Sequence, residues 1–258
     1  MNIDKKTIIG MCHLLPLPGE PNYNCKTGIN EIYKRAAKEI EIMQQCGISA
    51  MLFSNEFGYP YIDKIDSLTQ SAMSFIVGRL KEKIKVPFGV DCMYDSIATI
   101  NIALATEADF IRLTLGKYDK TDYMHGNTDI GLLIRNLNNY KTRFLPRVFL
   151  DISTPLSLIP EAKKLEFIDC IITQVSPYAI CVSSEEINHF DIHKLQLMNK
   201  NSLIICDGGC NKKNIKQIID KTDGVIVGTA LKRNEIISNE IDYKNAKEIT
   251  ELVVSDNK

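Results

Sequence analysis

Four carboxylates and a histidine stand near or just past the ends of short apolar runs, and an arginine lies within another. Glu56, Asp91, Asp151 and Asp207 supply general acid and base capacity. Two carboxylates at one mouth can hold different pKa values, one protonated and one ionised. Arg112 would fix an anionic group or stabilise developing negative charge, and His13 and Asn55 would bind substrate beside it. An ionised group in an apolar strand costs several kcal/mol unless it is paired or solvated. A ring of mutually paired charges, with Arg112 bonded to a carboxylate, would meet that requirement. Convergence of so many polar groups on one mouth fits a ligand site better.

Two glycine turns carry a second signal. Asp207-Gly208-Gly209-Cys210-Asn211 follows one apolar run, and Gly228-Thr229-Ala230-Leu231-Lys232 follows the next. Glycines let a backbone approach an anion closely, so Gly208, Gly209, Gly228 and Thr229 are expected to grip a phosphate or similar group. A divalent metal is an open option, since His13, Asp91, Asp151 and Asp207 are hard ligands, but spacing alone assigns no metal and no cofactor. No lysine lies at the inner end of a run, which argues against a Schiff base. Lys117 and Lys232 lie beyond the run ends and are expected to be solvated or phosphate-facing. His125, His189 and His193 are read as surface residues. No G-x-S-x-G elbow or nicotinamide fingerprint occurs.

The elements that must position these groups alternate along the whole chain. The expected strands are 7–14, 50–55, 88–92, 110–115, 147–153, 170–175, 203–207 and 224–229. They are short and rich in Ile, Val, Leu and Phe, as parallel strands buried on both faces are. Helical spacing marks 29–46, 67–84, 95–105, 130–140, 212–221 and 243–254, with Asp95 and Asn211 as natural N-caps. Stretches 155–164 and 184–198 are broken by Pro160 and by Asn188–Asp191, so each is expected to hold a short or irregular helix. Eight strand–helix units suit either a closed barrel or a doubly wound open sheet. The stiff His13-Leu14-Leu15-Pro16-Leu17-Pro18-Gly19 segment lacks the glycine fingerprint of the open sheet. The fold expected is an α/β protein, a single (β/α)8 TIM barrel over residues 1–258, with its working rim at the C-terminal strand ends.

The composition fits that reading. The chain has 258 residues, 45% hydrophobic and 24% charged, with net charge −1. No basic run suggests nucleic acid, and no stretch is long enough to span a bilayer. The apolar run after Lys5-Lys6 is broken by His13, Pro16 and Pro18, so it reads as a strand and loop rather than a signal peptide. Eight scattered cysteines without a CxxC read as reduced thiols of a cytoplasmic protein, with Cys12, Cys92, Cys170 and Cys206 buried. No stripe identifies an oligomer face, though barrels of this kind often form homo-oligomers.

The opening Ile9-Gly10-Met11-Cys12-His13-Leu14-Leu15-Pro16-Leu17-Pro18-Gly19 resembles the BtpA/SgcQ family pattern I-G-M-V-H-L-x-P-L-P-G. Phe57-Gly58-Tyr59-Pro60-Tyr61, Ala108-Asp109-Phe110-Ile111-Arg112 and the segment from Asp223 to Lys232 are similar to later family motifs. The resemblance implies a barrel of the ribulose-phosphate-binding type. Family members are described as photosystem I biogenesis factors and as enzymes of carbohydrate operons, so membership implies no single reaction. The chain also departs from the pattern. Asn55-Glu56 reverses a Glu-Asn pair, and Tyr59 replaces an acid. Ser153-Thr154-Pro155 replaces K-H-A after strand five, and Ser176-Pro177-Tyr178-Ala179 stands where T-G-x-x-T-G is expected after strand six. Asp207-Gly208-Gly209-Cys210 stands where G-S-G-V is expected after strand seven.

The function expected is a metabolic enzyme of this family type, with isomerase, lyase or hydrolase chemistry on a small phosphorylated or anionic metabolite. The alternative is a non-catalytic metabolite-binding or assembly factor on the same barrel. An open pocket where the carboxylates converge would favour the enzyme. A pocket plugged by Tyr59, Tyr61 or Tyr178 would favour the alternative.

Overall fold

A computed structural model describes residues 6–115, 145–153, 160–189 and 202–254, together with Arg135. Eight parallel strands close into one barrel in chain order, with β8 pairing back to β1. They are β1 (Thr7–His13), β2 (Ala50–Ser54), β3 (Phe88–Asp91), β4 (Phe110–Thr114), β5 (Arg147–Asp151), β6 (Ala179–Val182), β7 (Leu203–Asp207) and β8 (Gly224–Val227). The helices are α1 (Gly28–Gln45), α2 (Ser67–Leu80), α3 (Ser96–Thr106), α4 (Glu161–Val175), α5 (Ser184–His189), α6 (Ile215–Ile219) and α7 (Tyr243–Val254). The expected helix at 130–140 lies outside the described residues, apart from Arg135.

Strand parity sorts the side chains into two cores. Ile9, Met11, Leu52, Phe110, Phe149, Cys181, Ile205 and Ile226 fill the barrel interior. Ile8, Cys12, Met51, Phe53, Val90, Ile111, Leu150, Ile180, Ile204 and Val225 face the helices instead. Phe110 and Phe149 stack with ring centroids 4.6 Å apart. Gly89 makes room for them, because a Cβ there would stand 2.4 Å from the Phe110 ring. Two residues further along the inward parity come His13, Asp91, Arg112, Asp151, Asp207 and Gly228. The same alternation that packs the interior therefore stacks a polar layer on top of it.

Local chemistry fixes the helices that hold the barrel. The Asp66 carboxylate caps α2 by accepting from the Leu68 and Thr69 N–H groups, and Asp95 caps α3 through Ala98 N–H. Gly47, with φ +81°, turns the chain from α1 toward β2. Asn211 accepts from Lys213 N–H in the turn before α6, which starts only at Ile215.

Several expectations are corrected. The run from Cys170 to Val175 is not strand six. It is the last part of α4, which also takes in the stretch expected as an irregular helix beyond Pro160. Leu165, Ile168, Ile172 and Val175 recur at helical spacing and pack on the barrel. The β-branched run looked like a strand because a short buried strand and a buried helix segment share the same composition. The true β6 is Ala179–Val182, buried along its length. Ser176, Pro177 and Tyr178 therefore precede β6 and lie at the opposite end from the C-terminal strand ends. The change of sequence there is no change to a loop of that rim. Cys170 is exposed on α4 rather than buried, whereas Cys12, Cys92 and Cys206 are buried.

Candidate functional site

Arg112 rises from the middle of β4 and meets three carboxylates carried by three other strands. Its Nη1 donates to Asp91 at 2.5 Å, its Nη2 donates to Asp151 at 2.7 Å, and its Nε donates to Asp207. The guanidinium points one N–H at each from three nitrogens fixed in one plane, whereas a lysine would have to reach all three from a single nitrogen. The Ser153 N–H donates to the second oxygen of Asp151 at 2.9 Å. Burial alone would lower the pKa of Arg112, but Asp207, Asp91 and Asp151 hold it well above its ordinary value.

The carboxylates respond in the opposite sense. Burial pushes Asp207 up to about 6, with Arg112 opposing and Asp151 and Asp91 adding repulsion. Burial also raises Asp91 against the pull of Arg112. Glu56 lies just past the end of β2 and is raised by burial, with Asp207 adding repulsion. The Tyr61 hydroxyl lies 2.7 Å from the Glu56 carbonyl oxygen and 3.4 Å from its carboxylate.

His13 ends β1 on the inward parity and is only 5% exposed. Burial, reinforced by Lys232 and Arg35, pulls its pKa down to about 3, so the ring is neutral at physiological pH. Its Nδ1 has no hydrogen-bond partner among the described residues. Gly228 packs on the ring, and a Cβ there would stand 2.9 Å from Cε1.

These groups line one open pocket of about 460 Å³ at the C-terminal end of the barrel. Its wall includes His13, Glu56, Arg112, Asp207, Gly208, Gly209, Gly228 and Thr229. Asp91 and Asp151 bond the guanidinium but are not part of the wall. Gly208 and Gly209 have φ of +94° and +75°, a backbone that side chains disfavour. A Cβ on Gly209 would also strike the Ser184 hydroxyl at 2.1 Å. The N–H groups of Gly209, Cys210 and Thr229 meet no acceptor among the described residues, and all three residues face the pocket.

Asn55 does not reach the pocket wall. Its Nδ2 donates to Glu20 at 2.9 Å, and its Oδ1 accepts from Met93 N–H at 2.8 Å. It ties the loop after β1 to the loop after β3. Glu20, which sequence reasoning missed, also accepts from Leu17 N–H at 2.6 Å.

Lys232 corrects a second expectation. It is neither solvated nor in the pocket wall, but 0% exposed. Its Nζ donates to both oxygens of Glu39 at 2.9 Å. Glu39 also accepts from Ile241 N–H and Arg35 Nε. The pair pins α1 to the turn that follows β8. A signal for it existed, since Glu39 interrupts the apolar stripe Ile32, Ala36, Ile40 and Met43 of α1.

The three aspartates weighed as metal ligands instead converge on Arg112. No group of three His, Cys, Asp or Glu among the described residues is arranged to hold a metal ion. The tyrosines whose plugging of the pocket would have favoured the non-catalytic alternative stand elsewhere. Tyr59 is 68% exposed, Tyr61 leans on Glu56 outside the pocket wall, and Tyr178 packs on Phe149 at the far end.

The model of the BtpA family matches residues 4–255. The chain belongs to the BtpA family. Among its relatives, the sgc region protein SgcQ of Escherichia coli K12 is 27% identical over 261 residues, covering 96% of this chain and 94% of SgcQ. The photosystem I biogenesis protein BtpA of Synechocystis is 27% identical, covering 91% of this chain and 83% of its own. The fold is similar to that of phosphoribosyl anthranilate isomerase from Thermococcus kodakaraensis, with a TM-score of 0.59 at 14% identity, covering 96% of this chain and 99% of that one. No helix among the described residues of this BtpA-family barrel is long and apolar enough to cross a membrane.

Proposed function

We propose that this protein is an enzyme that moves protons on a small phosphorylated or anionic metabolite. The observation that carries the reading is the pair Glu56 and Asp207 in one open pocket, with Asp207 held near 6. A group with that pKa is present in both protonation states near neutrality, which is where general acid and base catalysis is most effective. In this reading Asp207 and Glu56 exchange the proton. Arg112 fixes the geometry of Asp207 and offsets charge that develops on the substrate. The Gly208–Gly209 and Gly228–Thr229 turns hold the anionic end through the backbone N–H groups that face the pocket. His13, kept neutral, offers a hydrogen bond without adding charge. Asp91 and Asp151 act through Arg112 and are positioning residues. Isomerase, lyase and hydrolase chemistry all draw on this set.

A binding-only barrel is the second reading. It is favoured by the engagement of Arg112 with three carboxylates, which would serve structure alone. The open pocket and the displaced tyrosines favour the enzyme.

A thermal-shift screen of phosphorylated sugars and nucleotides tests the proposal, since a ligand that binds the folded state raises its stability. A stabilising phosphorylated compound is expected. Glu56→Gln should keep that shift while lowering turnover of the compound by about a hundredfold or more. No stabilisation by any phosphorylated compound would sink the anion site. Full turnover by both Glu56→Gln and Asp207→Asn would sink the acid–base assignment.

A further inference from the structure

The turn after β7 carries two thiols that the acid–base reading does not use. The Sγ atoms of Cys206 and Cys210 lie 3.1 Å apart, with Cys210 donating to Cys206. Among the described residues no other two cysteines are bonded to each other in this way. The sulfurs of a disulfide stand about 2.05 Å apart, so about 1 Å of approach separates this pair from a covalent bond. Gly208 and Gly209 lie between the two cysteines. A Cβ on Gly208 would meet nothing within 4 Å, so that residue has room to move.

The two thiols differ in access. Cys206 is 0% exposed and packs in the core between strands and helices, whereas Cys210 is 8% exposed and lines the pocket. The hydrogen bond from Cys210, with burial behind it, pushes the Cys206 thiol well up and keeps it protonated. The sulfur that meets a reagent from the pocket is therefore that of Cys210, and Cys206 stands ready behind it.

We propose that Cys206 and Cys210 form a redox-active dithiol, which a hydroperoxide closes to a disulfide, and that closure weakens anion binding at the same turn. Cys210 loses its proton, and its sulfur attacks one oxygen of hydrogen peroxide. The O–O bond breaks, leaving a sulfenic acid on Cys210 and a hydroxide that takes up the released proton as water. The Cys206 sulfur then attacks the sulfenic sulfur and displaces its hydroxyl, which leaves with the Cys206 proton as a second water. The thiols lose two electrons and the peroxide gains them. The Gly208 carbonyl accepts from Ser184 N–H at 3.1 Å, and the Gly209 carbonyl accepts from Asn214 Nδ2 at 2.9 Å. These bonds hold the near side of the turn, so the approach falls mainly on Cys210. Its N–H meets no acceptor among the described residues, and the residue faces the pocket. A donor moved away from its acceptor beyond about 3.2 Å loses much of its hydrogen bond. The effect on binding rests on the anion site proposed above, whereas the dithiol chemistry does not.

The test treats the full chain with hydrogen peroxide, alkylates the remaining thiols in denaturant and digests with trypsin. Residues 201–212 leave as one peptide that holds Cys206 and Cys210 and no other cysteine. That peptide is expected unalkylated and lighter than the dithiol by two hydrogens, and dithiothreitol before alkylation should restore both thiols. A calorimetric titration with inorganic phosphate should show at least about threefold weaker affinity in the oxidised protein, recovered on reduction. Cys210→Ser and Cys206→Ala, each alone, should make that affinity insensitive to peroxide. Absence of the disulfide peptide overturns the proposal. A disulfide that leaves phosphate affinity within about twofold overturns the control of binding. A loss of affinity that persists in both variants also overturns it, because another thiol is then responsible. If the disulfide forms and neither state binds phosphate, the anion site proposed above falls with its control, and the dithiol stands as a modification site.

Discussion

Asp207→Asn should stabilise the protein, and the gain should grow with pH. Asp207 titrates near 6 in the fold against 3.8 for a free carboxyl, chiefly because it is buried. A carboxyl raised in this way leaves stability intact below about 3.8 and removes it as the pH climbs through about 6. At ~1.36 kcal/mol for each pH decade between those values, the ionised group costs the fold roughly 3 kcal/mol. About half of that is already present at pH 5, so the variant should gain ~1.5 kcal/mol on the wild type between pH 5.0 and 7.5. For a chain of this size the gain corresponds to roughly 3–6 °C in Tm. An asparagine keeps an oxygen that can accept from Arg112, so the geometry has no cause to collapse. Urea denaturation of both proteins at the two pH values measures the difference. A variant whose deficit or gain is the same at pH 5.0 and 7.5 would refute the reasoning, because Asp207 would then carry no folded-state shift. A carboxylate that ionises in a buried site costs stability, and its removal returns that cost.

Other outcomes follow from the same geometry. Arg112→Met leaves three carboxylates facing one another without their cation and should cost about 3–5 kcal/mol at pH 7.5 in the same denaturation assay; a cost under about 1 kcal/mol would mean the ion cluster contributes little. Lys232→Met or Glu39→Leu alone should each cost about 3–5 kcal/mol, whereas the two changes together should recover much of it. A double-mutant cycle with no coupling would contradict the buried pair. The His13 ring protons, followed by NMR, should show no titration between pH 5 and 8, since burial sets the pKa near 3; a midpoint near 6.5 would place the ring in water.

Much of this protein was legible in the sequence. The apolar runs gave seven of the eight strands within about two residues, because a buried parallel strand needs a short continuous apolar segment. Strand six failed because Cys170–Val175 satisfies the strand pattern and the helical stripe of α4 together, and only the pairing of Ala179–Val182 with β5 and β7 decides between them. The polar residues at the strand ends were also readable. Their partners were not. That Arg112 meets Asp91, Asp151 and Asp207 at once depends on the closure of the barrel, which brings together strands 21 to 95 residues apart in the chain. Asn55 and Lys232 show the same limit. Each carries a residue type suited to binding, and each is claimed by a structural partner, Glu20 and Glu39, far away in sequence. The sequence by itself determined seven of the eight strands, which polar groups exist and that they share a rim. Tertiary structure alone decided which of them pair and which remain open to a ligand, because burial and distance set both the pKa and the hydrogen-bond partner of every group there.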